Sequence, residues 1–318
     1  MPISASDELF HRHPSNPILT AADWPYLCNS VFNPAATRQG GDTLLLARVE
    51  PRSGVSHLTA ARSRDGFTGW AVDPAPTLEP SPGHPEECFG VEDARITYLA
   101  ERQEYAVCYT AYSSRGPLVA MALTRDFKSF ERLGAVLPPE NKDAALFPER
   151  IGGRWAMVHR PVPGSGAAHV WLAFSPDLRH WGGHRMVLAA RDGSRWDAGK
   201  VGANTPPIPT DEGWLLVYHG VKHTAAGCLY RLGLALLDRD DPCRVTCRTE
   251  EWVMAPREPY ELQGDVGHVV FPCGHVLEGD ELRLYYGAAD MCIGVATASL
   301  RQLLDHLLAS PEPVSGRS

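Results

Sequence analysis

The chain has 318 residues, 44% of them hydrophobic, with 29 Gly, 27 Pro and a formal net charge of −8. That is ample apolar material for a core, and the acidic balance argues against a nucleic-acid or anionic-membrane partner, since either needs a basic face. Length alone would suggest two domains, but closed all-β folds of this size are commonly one.

The first eight residues, Met1-Pro-Ile-Ser-Ala-Ser-Asp-Glu8, have neither a basic start nor an apolar stretch. No later run is long enough to span a bilayer, so the expected location is cytoplasmic. From about residue 16 the chain falls into units of two β-rich runs followed by a third of small residues that usually closes on an Asp turn. The closing runs occupy residues 60–66 with Asp65, 121–127 with Asp126, 172–178 with Asp177, 234–239 with Asp238, and a degenerate copy at 294–300. They recur roughly 50 to 60 residues apart, a period that signals a propeller or a solenoid. In the third unit the two preceding runs are residues 145–150 and 155–160, and in the fifth 269–273 and 282–286. Bounded by Gly, Pro, Asn and Asp, such runs read as strands. The expected architecture is all-β, a five-bladed β-propeller over residues 16–300 in a single domain. A short C-terminal helix over 300–308 should pack on it, followed by a loose tail over 309–318. Eight cysteines lack a Cys-x-x-Cys pair or His at zinc spacing, so buried free thiols and no metal site are expected.

If the first two strands of a blade are antiparallel, the start of the first and the end of the second share one rim. At or just before first strands fall Asn33, Glu92-Asp93, Asn141-Lys142, Lys200 and His268. At the ends of second strands fall Arg48 with Glu50, Tyr109 with Tyr112, His159-Arg160, Tyr218-His219 and Asp290. Charged groups drawn from every blade to one end of a closed ring describe an axial site. Glu92 and Asp93 are adjacent and should point to opposite faces of an extended strand, so one at most enters a pocket. The other is expected to pair with a neighbouring blade or with Arg95.

The motifs Gly90-Val-Glu-Asp-Ala-Arg95, Asn141-Lys-Asp-Ala-Ala-Leu-Phe-Pro-Glu149, His159-Arg-Pro161, Lys200-Val-Gly-Ala-Asn-Thr-Pro-Pro-Ile208, Tyr218-His-Gly-Val221 and Tyr285-Tyr-Gly-Ala-Ala-Asp290 follow one another in this order. Together they resemble glycoside hydrolase family 130, the β-mannoside phosphorylases, over nearly the whole chain. The resemblance implies a five-bladed propeller and inverting phosphorolysis of terminal β-mannosides to α-mannose 1-phosphate. It also implies Asp93 as general acid, relaying its proton through a sugar hydroxyl. Asn33, Arg48 and Asp290 would bind sugar, and Lys142, Arg160, Lys200, His219 and Tyr230 phosphate. Phosphate is then the co-substrate, with no further cofactor. Family members mostly carry Arg where this chain has Lys142, a point charge in place of a planar two-pronged donor.

The chemistry offers its own test. An inverting hydrolase needs a second carboxylate roughly 6.5–9.5 Å from the acid to activate water, whereas phosphorolysis needs one acid facing a cluster of cations. Lys142, Arg160, Lys200 and His219 form such a cluster in an acidic chain. The rivals are an inverting β-mannosidase, with Glu50, Glu149 or Glu261 as base, a non-catalytic sugar-binding propeller, and an arabinanase-type propeller. Linkage, acceptor and oligomeric state, a homo-oligomer included, stay open. Acceptor contacts are expected near Trp24-Pro-Tyr26, Ser56-His57 or His84-Pro-Glu-Glu87.

Overall fold

In the computed structural model, which describes residues 8–225 and 227–309, five antiparallel sheets form a five-bladed propeller. Blade 1 runs Ser30–Gln39, Asp42–Glu50, His57–Ser63 and Ala71–Val72. Blade 2 runs Gly90–Leu99, Glu104–Ser113, Gly116–Thr124 and Glu131–Leu137. Blade 3 runs Asn141–Leu146, Trp155–Pro161, Val170–Ser175 and Gly182–Leu188. Blade 4 runs Lys200–Ala203, Gly213–Thr224, Gly227–Leu237 and Val245–Arg248, with Ile208–Thr210 as an extra partner of its second strand. Blade 5 takes Val270–Glu278, Glu281–Ala288 and Cys292–Ser299 from the end of the chain and its outer strand, His11–Arg12, from the beginning.

Each unit therefore has a fourth strand that the three-run repeat did not include. The outer strands are short or largely exposed, as in Ala71–Val72 and Gly182–Leu188, so they carry little apolar pattern for a sequence to display. The strand at His11–Arg12 also lies ahead of residue 16, where the repeat becomes legible. The core is divided among the blade interfaces. Val91 and Val107 of blade 2, for example, pack with Leu44 and Leu58 of blade 1, and Val217 and Leu234 of blade 4 with Leu282 and Leu284 of blade 5.

The Asp turns are hydrogen-bonded knots. Asp65 Oδ1 accepts from the backbone N–H of Phe67 and Thr68, both at 2.8 Å, while Ser63 Oγ accepts from Gly66 N–H at 3.1 Å. Thr124 with Asp126, and Ser175 with Asp177, repeat the arrangement. Hydrogen bonds, from the Thr68 hydroxyl first at Asp65 and from backbone N–H groups first at Asp126 and Asp177, hold these carboxyls below their usual range, Asp126 at about 2. In blade 5 the third strand runs directly into the helix Leu300–Leu308, capped by Ser299 Oγ on Gln302 N–H at 3.2 Å. Asp280 takes over the carboxylate role there, accepting from Arg301 N–H at 2.9 Å. The helix buries Leu303, Leu304 and Leu307, as its spacing predicts; the expected tail beyond residue 309 lies outside the described residues. A one-turn helix at Pro259–Leu262 was not anticipated. Its Glu261, fully buried, binds Arg12 Nε at 2.7 Å and Nη2 at 3.0 Å and so ties the closing strand to the ring.

All eight cysteines are free; four are buried and Cys88 is exposed. Among the described residues no helix is long and apolar enough to cross a membrane.

One irregularity positions the site. The pairing of first and second strands shifts between Phe32 and Ala35, Glu92 and Arg95, and Lys142 and Ala145 in blades 1, 2 and 3. At the same place in each bulge a residue adopts left-handed backbone: Asn33 (φ 46°), Asp93 (φ 47°) and Asp143 (φ 54°). Bulges re-aim side chains, and here all three line one central cavity.

Candidate active site

The cavity has a volume of about 310 Å³ and opens where the first strands begin. Asn33, Arg48, Asp93, Lys142, Arg160, Lys200, His219, Tyr230 and Asp290 all line it, so the structure brings together every residue to which the resemblance gave a role.

On the side of blades 1, 2 and 5, Asp93 Oδ1 accepts from Asn33 Nδ2 at 2.9 Å and Arg48 Nη1 at 3.4 Å. Arg48 lies over the Phe32 ring at 4.7 Å, and its Nη2 reaches Glu50 at 3.0 Å and Glu92 at 3.2 Å. Both members of the Glu92-Asp93 pair thus meet one arginine. Simple strand alternation fails because the bulge interrupts it. Glu92 does not line the cavity; it bridges Arg48 of blade 1 to Lys142 of blade 3, whose Nζ is 3.8 Å away, and burial raises its carboxyl pKa. Asp290 sits in a left-handed turn with Ala289 (φ 54° and 49°). Burial, and then the charge of Asp93, push its carboxyl up to about 7.

The sign of that shift yields a stability prediction. Between its ordinary value and about 7 Asp290 keeps a proton in the folded protein that it loses when unfolded, so its contribution is full below pH 4 and falls as pH rises to 7. Asp290→Asn, which cannot ionise, should gain thermal stability over the parent progressively between pH 4 and 7, then hold a constant advantage. Unfolding midpoints across that range check this; an offset independent of pH would contradict it.

On the side of blades 3 and 4, Asp143 is buried and central. Arg160 Nε donates to its Oδ2 at 2.6 Å, Arg95 Nη2 to its Oδ1 at 3.4 Å, and His219 Nε2 lies 3.6 Å from Oδ2. Burial opposes the charge, but the paired arginines more than offset it and hold the carboxyl well below its usual range. Arg95 also donates to the carbonyls of Ala203 and Asn204 at 3.1 and 2.8 Å, linking blades 2, 3 and 4. Lys200 Nζ donates to Tyr230 Oη at 2.8 Å. His219 packs on Phe271 with ring centroids 4.8 Å apart, and neither ring nitrogen has a hydrogen-bond partner. Burial pushes the imidazole down to about 3, so His219 is neutral at physiological pH. The cations lining this side of the cavity are Lys142, Arg160 and Lys200, with the His219 ring beside them.

Asp143 and Arg95 were not singled out for the site. Their signal was present, because Asn33, Asp93 and Asp143 are separated by about the repeat period. Several rim candidates belong to the framework instead. Tyr109 donates to buried Glu87 at 2.6 Å and Tyr218 to buried Asp197 at 3.1 Å. Tyr26 hydrogen-bonds His57 at 3.0 Å and Thr59 at 2.6 Å, so the loop segments expected to meet the acceptor are largely absorbed by internal bonds. Of the carboxylates considered as a hydrolytic base, Glu149 pairs with Arg239 on the surface, Glu261 is buried beside Arg12, and Glu50 is held by Arg48; none lines the cavity.

The family model for glycoside hydrolase 130, described as β-1,4-mannooligosaccharide phosphorylase, matches residues 12–308. A β-1,2-mannobiose phosphorylase of Listeria innocua is 40% identical over 254 residues, 80% of this chain and 69% of that protein. A β-1,4-mannooligosaccharide phosphorylase of Ruminococcus albus is 32% identical over 315 residues, 94% of this chain and 91% of that protein. The solved structure of the Listeria innocua β-1,2-mannobiose phosphorylase with β-1,2-mannobiose superposes with a TM-score of 0.86 at 32% identity, covering 95% of this chain and 99% of that one.

Proposed function

This chain belongs to glycoside hydrolase family 130 and is an enzyme acting on β-mannosides, and on that premise we propose that it cleaves terminal β-1,2-linked mannosides with inorganic phosphate. The reaction inverts the anomeric centre and yields α-mannose 1-phosphate and a shortened acceptor. The observation that carries this is the division of the cavity. Asp93 stands on one side, and on the other are Lys142, Arg160, Lys200, Tyr230 and an unpartnered neutral His219.

Inversion requires nucleophile and leaving group on opposite faces of the anomeric carbon. The basic side holds the phosphate anion by charge-assisted hydrogen bonds, and one of its oxygens forms the new bond to C1. The C1–O bond to the acceptor breaks with its electron pair going to that oxygen, which takes the proton supplied by Asp93, directly or through a sugar hydroxyl. Asn33, Arg48 and Asp290 fix the mannosyl ring. Hydrolysis would need a base for water, and the third carboxylate in the cavity, Asp143, is committed to Arg95 and Arg160. The β-1,2 linkage rests on the match to the β-1,2-mannobiose phosphorylase, 40% identical over 254 residues, against 32% over 315 residues for the β-1,4 enzyme.

Lys200→Ala separates the two halves. It should raise KM for phosphate about tenfold or more, the loss of one charge-assisted contact, with KM for the mannoside little changed. Initial rates over a grid of both substrates decide it; equal effects on both constants, or none, would contradict the assignment.

A further inference from the structure

We propose that Phe89 and Tyr112 form an aromatic lip that stacks on the second sugar of the acceptor, making the enzyme selective for chains longer than a disaccharide. This rests on the reaction proposed above. With phosphate entering from blades 3 and 4 and the acid on blade 2, in-line displacement directs the departing acceptor outward past the rim of blade 2.

That rim carries exposed apolar side chains where a soluble protein normally has polar ones. Phe89 is 45% exposed and Tyr112 40%, their rings edge to face with centroids 6.0 Å apart. The pair is held by backbone rather than left on a loose loop. Phe89 N–H donates to the Tyr112 carbonyl at 2.8 Å, and Tyr112 is in register with Gly90 on one side and Pro117 on the other. Pro117 lines the cavity, whereas the two rings do not, so they stand one step beyond its wall. The first acceptor sugar lies against the wall and the second reaches the lip. The C–H face of a pyranose is apolar and fits a rigid aromatic surface, which gives contact area at little entropic loss.

The test compares β-1,2-mannobiose with β-1,2-mannotriose. In the parent protein kcat/KM should favour the trisaccharide. Phe89→Ala and Tyr112→Ala should each lower kcat/KM for the trisaccharide about tenfold, an effect typical of truncating an aromatic anchor, while the disaccharide constants and KM for phosphate stay within about twofold. Tyr112→Phe should keep the preference, because the ring and not the hydroxyl makes the contact. A parent without length preference, or variants that lose both substrates equally, would overturn the lip. Equilibrium binding of the same two sugars needs no turnover and separates the claims. Tighter trisaccharide binding that is lost in Tyr112→Ala supports the lip even if phosphorolysis fails, and binding independent of length overturns it even if phosphorolysis holds.

Discussion

Asp93→Asn should lower phosphorolysis of a mannobiose by about 10²- to 10⁴-fold, the usual effect of removing a general acid, or roughly 3 to 5 kcal/mol in the barrier. The substitution is nearly isosteric. Its amide oxygen can still accept from Asn33 Nδ2 and Arg48 Nη1, the two donors that meet Asp93 Oδ1, so the thermal midpoint should hold. What disappears is the transferable proton. A dinitrophenyl β-mannoside, whose leaving group needs no proton, should therefore lose far less activity than the disaccharide. Full activity of the variant on the disaccharide would remove Asp93 from its role. Equal losses on both substrates would show that the carboxyl orients sugar instead.

The second large effect concerns stability. Blade 5 is completed by a strand of only two residues, His11–Arg12, and the anchor of that strand is Arg12 on Glu261. Both side chains are withdrawn from solvent, at 6% and 0% exposure. Glu261 also accepts from Tyr286 Oη at 2.9 Å and from the N–H groups of Arg257 and Glu258 at 2.8 and 3.1 Å. Glu261→Gln removes the charge while keeping the volume and leaves the buried Arg12 with one counter-ion, Glu8, 2.6 Å from its Nη1. Breaking a buried pair from one side typically destabilises by about 3–5 kcal/mol, and the remaining Glu8 should hold the loss to the lower end of that range. For a chain of this size that is a fall in unfolding midpoint of roughly 5 to 10 °C. Calorimetry of the variant checks this; a midpoint unchanged to within about 2 °C would show that ring closure does not depend on the pair.

Local signals are legible in this sequence and non-local ones are not. The Asp turns and the strand preceding each were legible because a turn is written within a few residues: Asp65, Asp126 and Asp177 all collect N–H groups two and three positions ahead. Second-strand site residues were legible because alternation holds there. Arg160 and His219 face the cavity while their neighbours His159 and Tyr218 turn to buried partners behind it. At the first strands the expected outcome holds, with Asp93 in the cavity and Glu92 paired to neighbouring blades, but alternation is not what produces it. Their bulges place Asn33, Asp93 and Asp143 in left-handed backbone, a conformation that alternation does not foresee, and so Glu92 and Asp93 converge on Arg48. The closing strand was invisible for a different reason, since two residues carry no period and their partner Ala296–Thr297 lies at the other end of the chain.

The proposed reaction turns on phosphate. The direct measurement follows the products of β-1,2-mannobiose with and without inorganic phosphate, assaying mannose 1-phosphate and free mannose together. The expected products are α-mannose 1-phosphate and mannose in equal amounts with phosphate present, with negligible turnover without it. Two molecules of free mannose per disaccharide, released at the same rate whether or not phosphate is present, would contradict it.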